Sequence, residues 1–188
     1  MSREAFDQAA TFFGDTVSHI TPDQWEAPGL GVWNVRDLVG HTARAMLTVE
    51  QYATVGAGKA VIGTSDDVAE RGREAGRALG HDPASAVQEI ARRVVALVAS
   101  LPDDHPIETP YGKPVLATYL RSRVTELTIH TMDLADAVGL SVEPPGESMR
   151  VTLYMLFDLA RRGGVVKDVA FALTGRGTLP DGFSLLPT

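Results

Sequence analysis

Apolar residues recur every three to four positions through most of the 188-residue chain, and the glycines and prolines cluster between these stretches. This spacing is typical of amphipathic helices, each of which buries one face. Hydrophobic residues make up 44% of the chain, which is enough for a core of ordinary size. The sequence therefore predicts a mainly α-helical protein, a helical bundle with antiparallel neighbours. The predicted helices cover residues 3–19, 35–55, 66–79, 83–101, 115–138 and 147–162, with a loop over residues 56–65.

Helix termini are marked by capping residues. Asn34 is a good N-cap, with Asp37 three residues later, and Trp33 and Leu38 occupy the two positions of a hydrophobic staple. Asp82 precedes Pro83, a pair typical of the N-cap and first position of a helix. Glycine 139 is placed to adopt the left-handed conformation that ends many helices.

The C-terminal region shows a different pattern. Val169, Phe171 and Leu173 alternate with small or polar residues and precede a turn at residues 179–182, which predicts a short β strand or hairpin. We therefore expect a helical bundle over residues 1–165 and a short appendage over residues 166–188.

Composition limits the function classes. The chain has 17 Lys and Arg against 24 Asp and Glu, a formal net charge of −7, so a nucleic-acid partner is not expected. The longest apolar run, at residues 94–101, is far shorter than a membrane span, and the N-terminal segment does not resemble a secretory signal, so we expect a cytoplasmic protein without a membrane partner. The chain has no cysteine, so any thiol used in catalysis would have to be supplied by another molecule.

Two predicted helices carry candidate metal ligands. Glu126 and His130 are four residues apart, so their side chains leave the same helix face one turn apart. His41, beside the apolar stripe of another helix, could complete a site with three protein ligands and one open position. Asp37 and Asp133 are each placed to accept the second ring N–H of one of these histidines.

The spacing alone leaves alternatives open. Glu and His four residues apart also occur by chance, and a histidine at the edge of a core is usually a hydrogen-bonded structural residue. A set of two histidines and one glutamate suits Zn²⁺, Ni²⁺ and Fe²⁺ about equally.

Two segments carry a family resemblance. Residues 33–41 (WNVRDLVGH) and 126–135 (ELTIHTMDLA) resemble the two signatures of the mycothiol-dependent maleylpyruvate isomerase family, N-terminal domain, in the DinB/YfiT-like superfamily of metal-binding four-helix bundles. The resemblance extends over about residues 1–165 and implies a DinB-like four-helix bundle with an extra helix. It implies that His41, Glu126 and His130 bind a metal, usually zinc, and that this metal binds the thiol of mycothiol or a similar small thiol.

The resemblance also implies an activity. In an isomerase of this kind, the thiolate adds to the conjugated double bond of a cis-dicarboxylate, the bond rotates, and elimination releases the trans isomer. Arg123, one turn from Glu126, is placed to hold a substrate carboxylate. The expected partners are thus a small thiol and an electrophilic substrate, and the reaction is an isomerisation or a thiol S-transfer. The alternatives are a non-catalytic metal- or ligand-binding bundle and a metal-dependent hydrolase; apolar helix faces beyond the core would permit a homodimer.

Overall fold

The computed structural model describes residues 2–56 and 64–185. The prediction of a mainly helical protein is confirmed, and none of the helices in these ranges is long and apolar enough to cross a bilayer. The helices are α1 (Ser2–Ser18), α2 (Val35–Thr54), α3 (Ser65–Ala78), α4 (Pro83–Ser100), α5 (Leu116–Val138), α6 (Gly146–Arg162) and α7 (Val166–Leu173). Of the loop predicted for residues 56–65, residues 57–63 lie outside the described ranges.

The core is a bundle of α1, α2, α4 and α5, because each of these helices packs against two of the others. Each contributes large side chains that are fully or almost fully buried, such as Phe13 from α1, Met46 from α2, Val94 from α4 and Leu127 from α5. Helix α3 packs on α2, α6 packs on α1 and α5, and α7 packs on α6. Residues that α2 and α5 turn toward each other therefore lie inside the bundle or at its edge.

The predicted caps are present. The Asn34 side chain accepts a hydrogen bond of 2.8 Å from the Asp37 backbone N–H, which fixes the start of α2 at Val35, six residues before His41. Asp82 caps α4 through the Ser85 N–H at 3.0 Å, and Gly139 ends α5 with a φ of 72°.

Helices α2 and α3 cross at a pair of glycines. A Cβ atom added to Gly40 would lie 2.1 Å from the backbone N of Gly76, much closer than any real contact. On the next turn of α3, a Cβ on Gly72 would lie 2.7 Å from the indole N of Trp33. The crossing is closer than any residue with a side chain would allow, and it holds Trp33 against α3.

The prediction of a C-terminal strand is wrong for residues 166–173, which form α7. A strand needs a neighbouring strand to satisfy its backbone groups, whereas a helix satisfies them internally. The described residues contain only isolated β-bridges, which join residue 28 to 34, 106 to 115 and 109 to 112, so no sheet is available to pair with this segment. The turn near residues 179–182 is present, since the Phe183 N–H donates to the Pro180 carbonyl at 3.0 Å.

Candidate metal centre

The candidate site lies where α2 and α5 face each other. The rings of His41 on α2 and His130 on α5 meet edge to face, with centroids 5.0 Å apart. Further along the same pair of helices, the rings of Tyr52 and Tyr119 lie 5.8 Å apart. Residue numbers rise along α2 as they fall along α5, so the two helices are antiparallel.

Three possible ligands converge at this point. Side-chain atoms of His41, Glu126 and His130 all lie within 4.8 Å of one another, and all three residues are partly buried. The four-residue spacing places Glu126 and His130 on one face of α5, with His130 Nε2 at 3.4 Å from Glu126 Oε2. The Glu126 side chain keeps 36% of its surface exposed, so the cluster can be reached from solvent.

His130 is held by carboxylates on both sides of its ring. Its Nδ1 lies 3.0 Å from Asp133 Oδ2, as predicted, and this leaves Nε2 directed at Glu126. Burial disfavours the protonated ring, but hydrogen bonds to Asp133 and Glu126 outweigh burial and raise the pKa of His130 to about 9. Without a metal, His130 is therefore an imidazolium at neutral pH.

His41 has the opposite environment. Burial, followed by the nearby charge of His130, lowers the pKa of His41 to about 4, so its ring is neutral. Its Nδ1 atom is buried and has no hydrogen-bond partner among the described residues. An orphaned buried ring nitrogen is costly, and a neutral imidazole is the form that binds a metal.

Trp33 packs directly on His41. The two rings are stacked, with centroids 4.3 Å apart and an interplanar angle of 30°. The indole N–H donates to the Ala69 carbonyl on α3 at 3.0 Å, so Trp33 links α3 to the ring of His41. The sequence indicates Trp33 only as part of the hydrophobic staple, and its place in WNVRDLVGH, eight residues before His41, is the one further signal.

The remaining predicted site residues differ in placement. Arg123 lies one turn from Glu126, with its guanidinium 5.3 Å from the centroid of the Tyr119 ring. Burial raises the pKa of Glu126, but the His130 hydrogen bond and the charge of Arg123 outweigh it, so the pKa is lowered and the side chain is a carboxylate. Asp37 does not contact His41 Nδ1, which has no partner, so in this structure Asp37 does not fix the His41 tautomer.

These residues fit a divalent metal ion. Two imidazoles and one carboxylate form a donor set common in catalytic zinc sites, where a fourth position stays open. The contact between His130 and Asp133 is the arrangement that orients a histidine ligand and raises its basicity. His41, Glu126 and His130 each offer one donor atom within 4.8 Å of the others, and the neutral ring of His41 is in the form that coordinates an ion.

A four-helix core with two histidines and one glutamate converging from facing helices defines a DinB-like helical bundle with a candidate metal site. The chain belongs to the family described as mycothiol maleylpyruvate isomerase N-terminal domain, whose model matches residues 6–135. The match includes all three candidate ligands and Asp133, and it ends within α5, before α6 and α7. Comparison with curated proteins and with solved structures gave no match.

Proposed function

We propose that this protein is a metal-dependent enzyme that uses a small thiol, mycothiol or a similar molecule, in an isomerisation or a thiol S-transfer. The observation that carries the proposal is the convergence of His41, Glu126 and His130, with a buried and unpaired nitrogen on His41. Membership in the mycothiol-related family supports the choice of a thiol. The absence of cysteine from the chain agrees with a thiol that comes from outside.

In this proposal, His41, Glu126 and His130 hold Zn²⁺, or Ni²⁺ or Fe²⁺, which are accepted by the same donor set. When bound, the metal supplies Lewis acidity that keeps a coordinated thiol deprotonated at neutral pH. Asp133 holds His130 Nδ1, so that Nε2 is free to coordinate. Trp33 covers one face of the His41 ring, which excludes water from that side and limits its rotation.

The reacting partner is proposed to be an electrophile with a carboxylate. Arg123 keeps its guanidinium near Tyr119, one turn from Glu126, and the described residues place no carboxylate within ion-pair distance of it. A guanidinium without an ion-pair partner can form a bidentate pair with a substrate carboxylate. It would hold the electrophile beside the thiol and lower the entropic cost of their reaction.

Metal content tests the site. Elemental analysis of the purified protein should give about one equivalent of zinc or another transition metal, and His41→Ala should lose it. His105→Ala is the matched control, because His105 is also partly buried, but its Nε2 donates a hydrogen bond to the Ala53 carbonyl, outside the site. No metal in the wild-type protein after reconstitution, or full metal in His41→Ala, would refute the assignment.

Activity tests the chemistry. The metal-loaded protein is assayed on a panel of electrophiles, with and without mycothiol or a simple thiol. Turnover that requires both metal and thiol supports the proposal. Turnover without thiol would indicate a hydrolase, and a fully loaded site with no turnover would indicate a non-catalytic metal-binding bundle.

A further inference from the structure

Arg44 is a partly buried cation without a matching anion. It lies on α2, one turn after His41, and no carboxylate of the described residues comes within ion-pair distance of it. Burial, followed by the positive charge of Arg71 and, more weakly, that of Arg123, lowers the pKa of Arg44; Tyr52 and Glu74 act against this. A partly buried charge that lies near other positive charges is stabilised by a counter-ion.

The shortage of partners is local. Nine of the fourteen arginines form ion pairs with carboxylates in the described residues, and the other five do not. Three of these five lie near one another, because the charges of Arg71 and Arg123 both lower the pKa of Arg44. Although the protein has seven more acidic than basic residues, none of these three arginines forms an ion pair in the described residues, and Glu74 and Glu126 act on Arg44 and Arg123 only from beyond ion-pair distance.

Two ring contacts fix the position of this cluster. On α2 the order is His41, Arg44, Tyr52, and on the antiparallel α5 it is His130, Arg123, Tyr119. The His41–His130 and Tyr52–Tyr119 contacts mark the two ends, so Arg44 and Arg123 lie between them on facing helices. Each arginine is one turn, about 5 Å along the helix axis, from a candidate metal ligand.

We propose that Arg44 and Arg123 together bind an oxyanion of the electrophilic substrate, a carboxylate or a phosphate, beside the candidate metal centre, with Arg71 adding to the positive potential. The inference deepens the proposed function, on which it rests for the identity of the reacting partner. It restricts the substrate class to electrophiles whose anionic group lies a few bonds from the reacting carbon. Neutral electrophiles of the same shape are excluded, because they would leave the arginine charges buried and unpaired.

Calorimetric titration of the zinc-loaded full chain tests the proposal. The probes are succinate, inorganic phosphate and the neutral analogue succinamide. We expect succinate or phosphate to bind and succinamide not to bind. Arg44→Gln should weaken anion binding about tenfold or more, since a charge-assisted hydrogen bond is lost, and Arg44→Lys should fall between this variant and the wild type.

Arg121→Gln is the matched control. Arg121 is also a partly buried arginine without an ion pair in the described residues, but it lies on α5 two residues from Arg123, facing Arg150 and Tyr154 of α6. Its replacement changes the net charge of the chain by the same amount as Arg44→Gln. Anion affinity should therefore be unchanged in Arg121→Gln, and an equal loss in both variants would overturn the proposal.

The remaining outcomes separate this proposal from the proposed function. Zinc binding with succinate affinity unchanged in Arg44→Gln overturns the anion site and leaves the metal site standing. Failure to bind zinc, with anion affinity still dependent on Arg44, refutes the metal site and supports the anion site. A second titration compares mercaptoacetate with 2-mercaptoethanol: if Arg44→Gln weakens only the charged thiol and not succinate, the anion belongs to the thiol and the proposal is overturned.

Discussion

The crossing of α2 and α3 leads to a sharp prediction about Gly40. A Cβ atom at this position would lie 2.1, 2.5 and 2.7 Å from three backbone atoms of residues 75 and 76. Carbon atoms in contact are normally at least about 3.5 Å apart, so α3 would have to move by roughly 1.4 Å. Because the obstacle is backbone, no rotamer change can relieve it.

We expect Gly40→Ala to lower the free energy of unfolding by about 2–3 kcal/mol. Overpacking of a tight contact costs about 1–3 kcal/mol, and loosening α3 also weakens the hydrogen bond between Trp33 and Ala69. Greater helix propensity of alanine would return only about 1 kcal/mol. The measurement is urea denaturation followed by circular dichroism, with zinc affinity recorded in parallel, since His41 follows Gly40 directly.

Gly14→Ala is the control for this prediction. Gly14 is also a buried helical glycine, but a Cβ there would meet only the flexible end of Gln88, at 3.1 Å. We expect its unfolding free energy to stay within about 1 kcal/mol of the wild type. If Gly40→Ala were as stable as Gly14→Ala, the close approach of α2 and α3 would be refuted.

Three further predictions concern the candidate metal centre. Because the pKa of His130 is raised to about 9 and that of His41 is lowered to about 4, zinc binding at pH 7.5 should release about one proton, from His130. Calorimetry in two buffers of different ionisation enthalpy measures the number of protons released. A number near zero would contradict the assignment of His130 as a ligand. Asp133→Asn should weaken zinc binding about 10- to 100-fold and reduce the proton release, because the pKa of His130 falls when the carboxylate is removed; unchanged affinity would show that Asp133 does not orient His130. Trp33→Leu should weaken zinc binding more than Trp33→Phe, which keeps an aromatic ring against His41; equal affinities in a competition assay with a chelator would show that the stacking does not position the histidine.

Much of the fold could be predicted from local signals. The cap at Asn34 and the left-handed Gly139 depend on residues only a few positions apart, and both are found where the sequence indicated. The approach of Glu126 and His130 follows from helix geometry alone. Sequence spacing alone could not predict that His41 lies beside Glu126 and His130, because that contact depends on the packing of α2 against α5. The family resemblance predicted this contact.

Other features depend on tertiary contacts that a single sequence does not display. Val169, Phe171 and Leu173 have the alternating spacing of a strand, but Val166, Val169 and Leu173 also have the spacing of a helix face. The segment forms α7, because the described residues contain no strand with which it could pair. Gly40 looks like a weak point in α2 until Gly76 is seen across from it. No local sequence pattern marks Arg44 as a site residue, because the charges that act on it come from α3 and α5.

The stacking of Trp33 on His41 has an optical consequence. The chain has two tryptophans, and the other, Trp25, lies in the core with Arg36 over its ring and makes no ring contact with a candidate ligand in the described residues. Emission from Trp33 should therefore respond to whatever His41 binds. Zn²⁺ has a filled d shell and should change the intensity only slightly, whereas Ni²⁺ and Fe²⁺, with open d shells, should quench it. The protein thus carries its own fluorescent reporter, which could distinguish between the metals that the donor set accepts.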